Sequence, residues 1–278
     1  MAAAFGPLVE TAWLRAHIGE PGLVVVDCRW VLGEPGAGRR AYSEGHIPGA
    51  AFLDVDRDLA AAPSERGRHP LPEPRDFEAA ARGAGIGQAS RVVAYDEAGE
   101  GGAARLWWLL RHFGHDAVAV LNGGLAAWRE DGGPLEAGGD EGGAAARPQA
   151  DFTAHPRGSD TVTPDELLAA TNLTLLDARA GERFRGEVEP IDAVAGHIPG
   201  AASVPFAELA PNGRFPAAER LRDRLGGEPF VAYCGSGVTA CILVLAGEVA
   251  GVEGRLYPGS WSEWTRRGLP VERSISAG

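Results

Sequence analysis

The stretch from Tyr233 to Cys241 (Tyr-Cys-Gly-Ser-Gly-Val-Thr-Ala-Cys) has the residue types and spacing best suited to nucleophilic chemistry. An apolar run at 230–233 is typical of a strand, and the nearly uncharged run from Val238 to Val249 is long enough for a buried helix. A strand, a tight glycine-bearing loop and a helix start direct several backbone N–H groups to one point, which favours negative charge there. We therefore predict that Cys234 is a nucleophile whose thiolate and anionic product are held by this loop.

The bulk composition restricts the class of partner and the compartment. A net charge of −12 and a pI near 5.1 argue against nucleic acid as the main partner but allow a local cationic site for a small anion. Three cysteines form an odd and sparse set that fits free thiols in a reducing compartment, so a cytoplasmic location is expected. No signal peptide is readable at the start, and no apolar run is long enough for a membrane span.

The chain contains an internal duplication. Four motifs recur in the same order: an apolar run ending in Asp-x-Arg, the segment Gly-His-Ile-Pro-Gly-Ala-Ala, a strand-like run ending at Asp96 or Cys234, and a glycine-bearing segment with tryptophan. This predicts an N-terminal domain over 1–135, a linker over 136–160 and a C-terminal catalytic domain over 161–278. Alternating strands and helices predict an α/β fold, in which each domain has a parallel sheet with helices on both faces and ligands bind at the carboxyl ends of strands.

The duplication also separates architecture from chemistry, because features present in both halves are better explained as structural. On this ground we assign structural roles to three matched pairs: Asp27 and Asp177, Arg29 and Arg179, and His46 and His197. A triad of Cys234, His197 and Asp177 is correspondingly disfavoured. In the alignment of the two repeats, the position of Cys234 is occupied by Asp96 in the first half. A carboxylate cannot act as a soft nucleophile, so the first half is predicted to be an inactive copy. Cys28 and Cys241 are predicted to be core residues.

The loop Cys-Gly-Ser-Gly-Val-Thr-Ala, together with the two Gly-His-Ile-Pro-Gly segments, resembles the rhodanese family of sulfurtransferases over nearly the whole chain. Within the family, the loop is similar to that of the 3-mercaptopyruvate sulfurtransferases. The resemblance implies two rhodanese-like domains and a persulfide intermediate on the cysteine of the second. The outer sulfur of that persulfide would be held by the loop residues Gly235, Ser236, Gly237, Val238, Thr239 and Ala240.

The charge of the loop bears on the sulfur donor. The uncharged Gly235 and Ser236 favour 3-mercaptopyruvate, whereas thiosulfate would favour cationic loop residues, and thiosulfate remains the alternative. The donor carboxylate then needs cations from elsewhere, and Arg183 and Arg185 are candidates. They lie near an insert of the second half, where 11 residues separate Phe184 from the next Gly-His-Ile-Pro-Gly segment. Arg183 matches the substrate arginine of the family, but Ile191 stands where its relatives have a second arginine.

The resemblance also implies a Ser-His-Asp set that assists proton transfer beside the cysteine. Ser236 matches the serine, His69 the histidine and Asp56 the aspartate. His69 and Asp56 occur in the first half and have no counterparts in the second. A histidine can exchange a proton near neutral pH and so serve the leaving group or the thiol. These matches predict an active site to which both halves contribute.

Other functional classes fit less well. A phosphatase of related fold would need arginine at Ala240, and a disulfide oxidoreductase would need cysteine at Gly237. A scaffold without activity would tolerate loss of Cys234, whereas a persulfide carrier that delivers sulfur to a partner protein remains open. No zinc-ligand spacing, phosphate loop or dinucleotide fingerprint is present, so no metal or cofactor is expected. The expected partners are a small-molecule sulfur donor and a thiol or cyanide acceptor, with no nucleic acid or membrane, and the protein is expected to be a monomer or weak dimer.

Overall fold

The computed structural model describes residues 5–138 and 150–274, which divide into two compact α/β units. Of the described residues, the N-terminal unit comprises 5–61, 72–138, 150–157 and 212–214. The C-terminal unit comprises 62–71, 158–211 and 215–274. Ten residues from the first half of the sequence therefore belong to the C-terminal unit, although neither composition nor periodicity marks them.

The N-terminal unit is built on five parallel strands. The strands are β1 (Leu8–Val9), β2 (Leu23–Asp27), β3 (Ala51–Phe52), β4 (Arg91–Tyr95) and β5 (Val118–Leu121). The helices are α1 (Thr11–His17), α2 (Ala37–Glu44), α3 (Pro74–Gly83), α4 (Gly102–His112) and α5 (Gly124–Glu130). The strand order is β1-β5-β4-β2-β3. Strands β4 and β5 are buried along nearly their whole length, as expected for parallel strands covered on both faces.

The C-terminal unit repeats this plan with four parallel strands. The strands are β6 (Thr174–Asp177), β7 (Ala202–Ser203), β8 (Phe230–Tyr233) and β9 (Gly254–Leu256), in the order β7-β6-β8-β9. The helices are α6 (Pro164–Ala169), α7 (Gly181–Arg185), α8 (Phe206–Leu209), α9 (Ala218–Leu225), α10 (Ala240–Ala250) and α11 (Ser260–Arg266), with a 3₁₀ turn at Pro211–Gly213. A single parallel bridge between Thr161 and Leu256 stands where the first unit has β1.

Strand register confirms the predicted duplication. Asp27 at the end of β2 pairs with Tyr95 at the end of β4, and Asp177 at the end of β6 pairs with Tyr233 at the end of β8. In each unit the tyrosine hydroxyl accepts the N–H of the isoleucine in the Gly-His-Ile-Pro-Gly segment, at 3.1 Å. The two units thus place the residue after the tyrosine, Asp96 or Cys234, at the same point of the sheet.

Two elements of the fold are not evident from apolar periodicity. Strand β7 is only two residues long, because Pro205 has no N–H for the ladder and instead precedes helix α8. Helix α2 has no clear apolar stripe, since only Gly38 and Tyr42 are buried along it, so periodicity does not reveal it.

The predicted linker over 136–160 is only partly within the described residues, because 139–149 lie outside them. Phe152 is fully buried and meets the ring of Phe77 edge-on, with ring centroids 5.6 Å apart. Its carbonyl accepts from Arg82 Nε at 2.7 Å. The described end of this segment therefore packs into the core of the N-terminal unit. Within the described residues no helix is long and apolar enough to cross a bilayer.

Candidate active site

Cys234 directly follows strand β8 and is 2% exposed. The backbone N–H of Gly237 donates to its Sγ at 3.1 Å. Gly237 has a φ of +80°, and a Cβ at this position would lie 2.2 Å from the carbonyl oxygen of Pro258. Only glycine fits there, both for backbone conformation and for space. The tight turn predicted from the glycines is therefore what brings an N–H donor onto the thiol.

Helix α10 begins immediately after this loop, with Thr239 as the residue before its first turn. Nine of its eleven residues are buried, so the helix is fixed by packing on nearly all sides. The first N–H groups of any helix lack intrahelical partners and carry the positive end of the helix dipole. Of the predicted cradle residues, Gly235 to Thr239 form the loop that precedes this helix, and Ala240 is its first residue, an arrangement that favours an anion beside Cys234.

Helix α11 anchors the backbone of the cysteine. The N–H of Cys234 donates to Ser260 Oγ at 3.1 Å, and its carbonyl accepts from the N–H of Trp261 at 3.0 Å. Ser260 is fully buried and has a φ of +52°, a conformation that is unfavourable for a residue with a side chain. The matched residue of the first half is Gly124, at a φ of +60°. The second half thus has serine at a position whose positive φ favours glycine, and the serine hydroxyl binds the Cys234 N–H.

His69 and Ser236 meet in the C-terminal unit. His69 Nδ1 lies 2.7 Å from Ser236 Oγ, and both residues are 6% exposed. The segment that carries His69 is tied to the same unit by the N–H of Arg68, which donates to Ser262 Oγ at 3.0 Å. Asp56 belongs to the N-terminal unit, where its carboxylate accepts from Trp30 Nε1 at 3.0 Å. The predicted catalytic role of Asp56 therefore stays a prediction.

The two predicted substrate arginines lie in different surroundings. Arg183 Nη2 lies 2.6 Å from Glu189 Oε1 and 3.4 Å from Asp192 Oδ2, and the Arg183 side chain is 14% exposed. A Cβ placed on Gly235 would be 3.7 Å and 3.8 Å from its two Nη atoms. Arg185 is two residues further along helix α7, so it points to another side of the helix. Its guanidinium is paired with Glu187 at 2.7 Å and is 42% exposed, which gives no support to a substrate-binding role.

Arg68 also lies close to Gly235, the residue after Cys234. Its Nη2 would be 3.2 Å from a Cβ on Gly235. Its Nη1 lies 2.8 Å from Asp192 Oδ1, and its Nη2 lies 3.4 Å from Asp192 Oδ2. Two guanidinium groups, from Arg68 and Arg183, therefore lie next to Gly235, the residue that follows Cys234.

The matched polar pairs have the structural roles predicted for them. Arg179 donates to both oxygens of Asp177 and to the carbonyl of Gly196, and Arg29 makes the same bonds to Asp27 and Gly45. Burial lowers the pKa of Arg179, but its attraction to Asp177 and its hydrogen bonds outweigh this and raise the pKa above the ordinary value. These ion pairs fix the start of each Gly-His-Ile-Pro-Gly segment in both units alike.

The two matched histidines are equivalent as well. His197 Nδ1 lies 2.7 Å from the carbonyl oxygen of Phe184, and its ring stacks on that of Phe184 with centroids 3.8 Å apart. His46 stands in the same relation to Tyr42, at 2.9 Å and 3.8 Å. This repeated packing confirms the structural assignment of His197 and leaves the Cys-His-Asp triad without support.

In the N-terminal unit, Asp96 occupies the loop with its own side chain. Its carboxylate accepts the N–H groups of Gly99, Gly101 and Ala103 at 2.8, 3.0 and 3.2 Å. Burial and the neighbouring Glu100 raise the pKa of Asp96 to about 7, against the opposing effect of these three bonds. The N–H of Gly99 is three residues after Asp96, as that of Gly237 is three residues after Cys234, so a donor that contacts the thiol in the second unit is bound by a carboxylate in the first. This arrangement supports the prediction that the first half is an inactive copy.

Comparison with known proteins gives the family. The Rhodanese-like domain matches twice, at residues 10–131 and 163–267. The chain belongs to the rhodanese family. A Pseudomonas aeruginosa protein provisionally named 3-mercaptopyruvate sulfurtransferase is 47% identical, with 92% of this chain and 94% of that protein covered. A Mycobacterium tuberculosis protein provisionally named thiosulfate sulfurtransferase SseB is 43% identical, with 93% of each chain covered.

Solved rhodanese structures show the same architecture. The crystal structure of the Escherichia coli 3-mercaptopyruvate sulfurtransferase SseA matches with a TM-score of 0.80 and 35% identity, over 92% of this chain and 99% of that one. The two tandem rhodanese-like domains expected from the sequence are thereby confirmed. In the described parts of both domains, no group of three His, Cys, Asp or Glu side chains is arranged as metal ligands would be.

Four residues of this rhodanese site have no clear signature in the sequence: Arg68, Glu189, Asp192 and Ser260. Arg68 directly precedes His69, so the segment carries a hint that more than the histidine enters the site. Glu189 and Asp192 belong to the insert found only in the second half, which the duplication marks as special. The contact of Ser260 with Cys234 cannot be predicted, because it depends on a positive φ that the residue type does not indicate.

Proposed function

We propose that this rhodanese is a sulfurtransferase that moves a sulfur atom from 3-mercaptopyruvate to a thiol or cyanide acceptor through a persulfide on Cys234, with release of pyruvate. The observation that carries the proposal is the contact between Cys234 Sγ and the N–H of Gly237 at 3.1 Å. The corresponding loop of the first domain has Asp96 in place of the cysteine. The names of the relatives from Pseudomonas aeruginosa and Escherichia coli support the choice of donor.

In the first half-reaction, the Cys234 thiolate attacks the sulfur atom of 3-mercaptopyruvate. A sulfur–sulfur bond forms, the carbon–sulfur bond breaks, and its electron pair leaves with the carbon as the enolate of pyruvate. Protonation of the enolate carbon gives pyruvate. The persulfide keeps the transferred sulfur, whose negative charge is stabilised by the loop N–H groups and the start of helix α10.

In the second half-reaction, a thiolate or cyanide attacks the outer sulfur of the persulfide. The sulfur–sulfur bond breaks and its electron pair returns to Cys234 as thiolate, while the acceptor leaves as a persulfide or thiocyanate. No external oxidant or reductant is needed over the cycle. Because pyruvate leaves before the acceptor reacts, ping-pong kinetics are expected.

His69 and Ser236 are the groups we assign to proton transfer. A histidine–hydroxyl pair with a 2.7 Å separation can relay a proton between the donor and the imidazole. Ser236 is two residues after Cys234, so its hydroxyl lies on the loop that surrounds the reacting sulfur. Asp56 remains a proposed third member of this set.

Thiosulfate is the second candidate donor, because the relative from Mycobacterium tuberculosis carries that name at 43% identity. The decisive experiment is a side-by-side steady-state assay of 3-mercaptopyruvate and thiosulfate with cyanide as the common acceptor. A higher kcat/KM for 3-mercaptopyruvate is expected. A higher value for thiosulfate would overturn the choice of donor but leave the persulfide chemistry in place.

The acceptor and the location complete the proposal. All three cysteines are buried and free, which fits work in a reducing compartment such as the cytoplasm. There, low-molecular-weight thiols are the abundant acceptors. If the protein were instead a persulfide carrier for a partner protein, an assay with a small thiol in place of cyanide would show one rapid release of pyruvate followed by slow turnover.

A further inference from the structure

Helix α11 holds the backbone from which His69 projects. We infer that Ser262 is a positioning residue: its hydroxyl fixes the backbone directly before His69 and thereby sets the imidazole against Ser236. Arg266, one helical turn after Ser262, holds the preceding turn of the same segment. The inference rests on the proposed function and deepens it, because it assigns the residue that positions the proposed proton-transfer group.

The His69 segment, residues 62–71, contains a tight turn just before the histidine. The N–H groups of Ser64 and Gly67 each donate to the carbonyl of the other at 3.0 Å, and the N–H of Arg66 donates to Ser64 Oγ at 3.2 Å. Only Arg68 separates this turn from His69. Contacts that hold the turn and Arg68 therefore also determine where the imidazole lies.

Ser262 supplies the contact at Arg68. Its hydroxyl accepts the backbone N–H of Arg68 at 3.0 Å and donates to the carbonyl of Gly259 at 3.1 Å, and the residue is 1% exposed. A hydroxyl has a single proton, so its donation to Gly259 leaves the lone pairs for Arg68. The backbone N–H of Ser262 donates to the carbonyl of Gly235 at 2.9 Å. One residue thus binds both the loop that follows Cys234 and the backbone before His69.

The turn itself is docked on the same helix. Gly67 has a φ of +111°, and a Cβ there would lie 2.8 Å from the carbonyl oxygen of Gly259 and 3.0 Å from Ser262 Oγ. Only glycine allows so close an approach in that conformation. The guanidinium of Arg266 donates to the carbonyls of Ser64 and Gly67. Helix α11 therefore fixes both ends of the turn.

The duplication separates this arrangement from the general architecture. In the alignment of the repeats, Ala126 and Glu130 of helix α5 occupy the positions of Ser262 and Arg266. Within the N-terminal unit, Glu130 also binds a short segment, because its carboxylate accepts from Arg214 Nη2 at 2.6 Å. The segment around Arg214 contains no histidine, and Ala126 has no hydroxyl to bind its backbone. A bound segment is thus common to both units, whereas the serine and the histidine occur together only in the second.

The position of His69 matters because its contact with Ser236 is short and joins two buried side chains. Nδ1 and Oγ are 2.7 Å apart, and each residue is 6% exposed. Removal of the Ser262 hydroxyl takes this acceptor away from the Arg68 N–H, so the segment can shift on the helix. A shift of about 1 Å at a catalytic group can lower a rate by about 10²-fold. Loss of the hydroxyl should therefore slow proton transfer as well as weaken the fold.

The test is a double-mutant cycle between Ser262→Ala and His69→Ala, with the rate of pyruvate release in a single turnover as the readout. Arg266→Met is measured alongside. The matched controls are Thr265→Val, whose hydroxyl bonds within the same helix, and Arg267→Met, whose guanidinium pairs with helix α6. Thermal unfolding verifies that each variant is folded. Nitrogen-15 NMR of the His69 ring, identified by its absence from the His69→Ala spectrum, reports the environment of the imidazole independently of activity.

Ser262→Ala should slow pyruvate release on the order of 10-fold and shift the His69 ring signals, and Arg266→Met should do both to a smaller extent. The two controls should match the wild type. In the His69→Ala background, Ser262→Ala should change the rate by less than about twofold, because its effect passes through the imidazole.

An equal loss in that background would mean that Ser262 acts through Arg68 or the loop after Cys234, and it would overturn the inference. Unchanged ring signals in Ser262→Ala would overturn it as well. If wild-type protein releases no pyruvate from 3-mercaptopyruvate, the proposed function fails, and the ring signals alone then decide whether Ser262 positions His69.

Discussion

His69 Nδ1 lies 2.7 Å from Ser236 Oγ, although 167 positions of the sequence separate the two residues. The contact falls within one compact unit, because residues 62–71 pack with the C-terminal domain. A short hydrogen bond between two buried groups holds the imidazole in one orientation beside the loop of the nucleophile. The proposed proton transfer at Cys234 would therefore depend on His69, a residue of the first half of the sequence that has no counterpart in the second half.

Replacement of His69 by alanine should slow sulfur loading while binding is largely kept, because the imidazole moves a proton and does not hold the donor. The rate of pyruvate release in a single turnover is expected to fall by about 10²- to 10⁴-fold, the usual contribution of general acid–base catalysis. Ser236→Ala should show a smaller loss of the same kind. A change confined to KM, with an unaltered loading rate, would contradict the assigned role.

Cys234→Ser should abolish the cyanide-labile sulfur, since a hydroxyl cannot form a persulfide. Cys241→Ser is the matched control. The Cys241 thiol donates to the carbonyl of Gly237 at 3.3 Å, and a serine hydroxyl can keep that bond. The control should therefore load one sulfur per chain, as measured by thiocyanate release. Sulfur transfer that persists in Cys234→Ser would refute the mechanism.

Ser260 should prove to be a positioning residue for Cys234. Ser260→Ala removes the acceptor of the Cys234 N–H, and an unsatisfied buried donor costs about 1–3 kcal/mol of folding stability. Ser260→Gly loses the same bond but relieves the positive φ, so it should be more stable than Ser260→Ala by about 1 kcal/mol. Both variants should load sulfur more slowly than wild type. Equal stability of the two, measured by urea unfolding, would show that the backbone conformation costs nothing.

Asp96 should give the N-terminal domain a stability that declines as the pH rises. Its pKa is about 7 in the folded protein against an ordinary value of 3.8, so the folded state binds more protons between these values. The stabilising contribution is complete below about pH 3.8 and is lost as the pH rises through about 7.

The measurement for this prediction is hydrogen exchange of strand β4 in wild type and in Asp96→Asn, which does not titrate. The difference in protection free energy, wild type minus variant, should fall from pH 5 to pH 8. A difference that is flat, or that rises with pH, would mean that the three N–H donors keep Asp96 ionised over this range.

The sequence predicts the parts of the structure that depend on local pattern. The buried strands around Val93 and Val231 are apolar runs, and the repeated motifs align the two halves through Tyr95 and Tyr233. The position of Cys234 between a strand and a glycine-bearing turn follows from the same reasoning, because it is a local feature. The structural role of His197 follows from the comparison of the halves.

What escapes prediction depends on contacts between distant parts of the chain. Arg68 becomes relevant only because its segment packs beside Ser262 and reaches Asp192, and no periodicity or motif encodes that packing. Arg183 and Arg185 are equally charged and nearly adjacent in sequence, yet the turn of helix α7 separates them. Their difference is visible only when their partners, Glu189 and Glu187, are known.

Residues 62–71 pack with the C-terminal domain, so the compact structural unit and the unit of sequence duplication are not the same. A fragment cut at the repeat boundary would keep Cys234 and Arg183 but leave His69 and Arg68 on the discarded piece. Such a fragment would keep the proposed nucleophile but lose His69 and its hydrogen bond to Ser236. On the proposed mechanism it would therefore load sulfur more slowly than the whole chain.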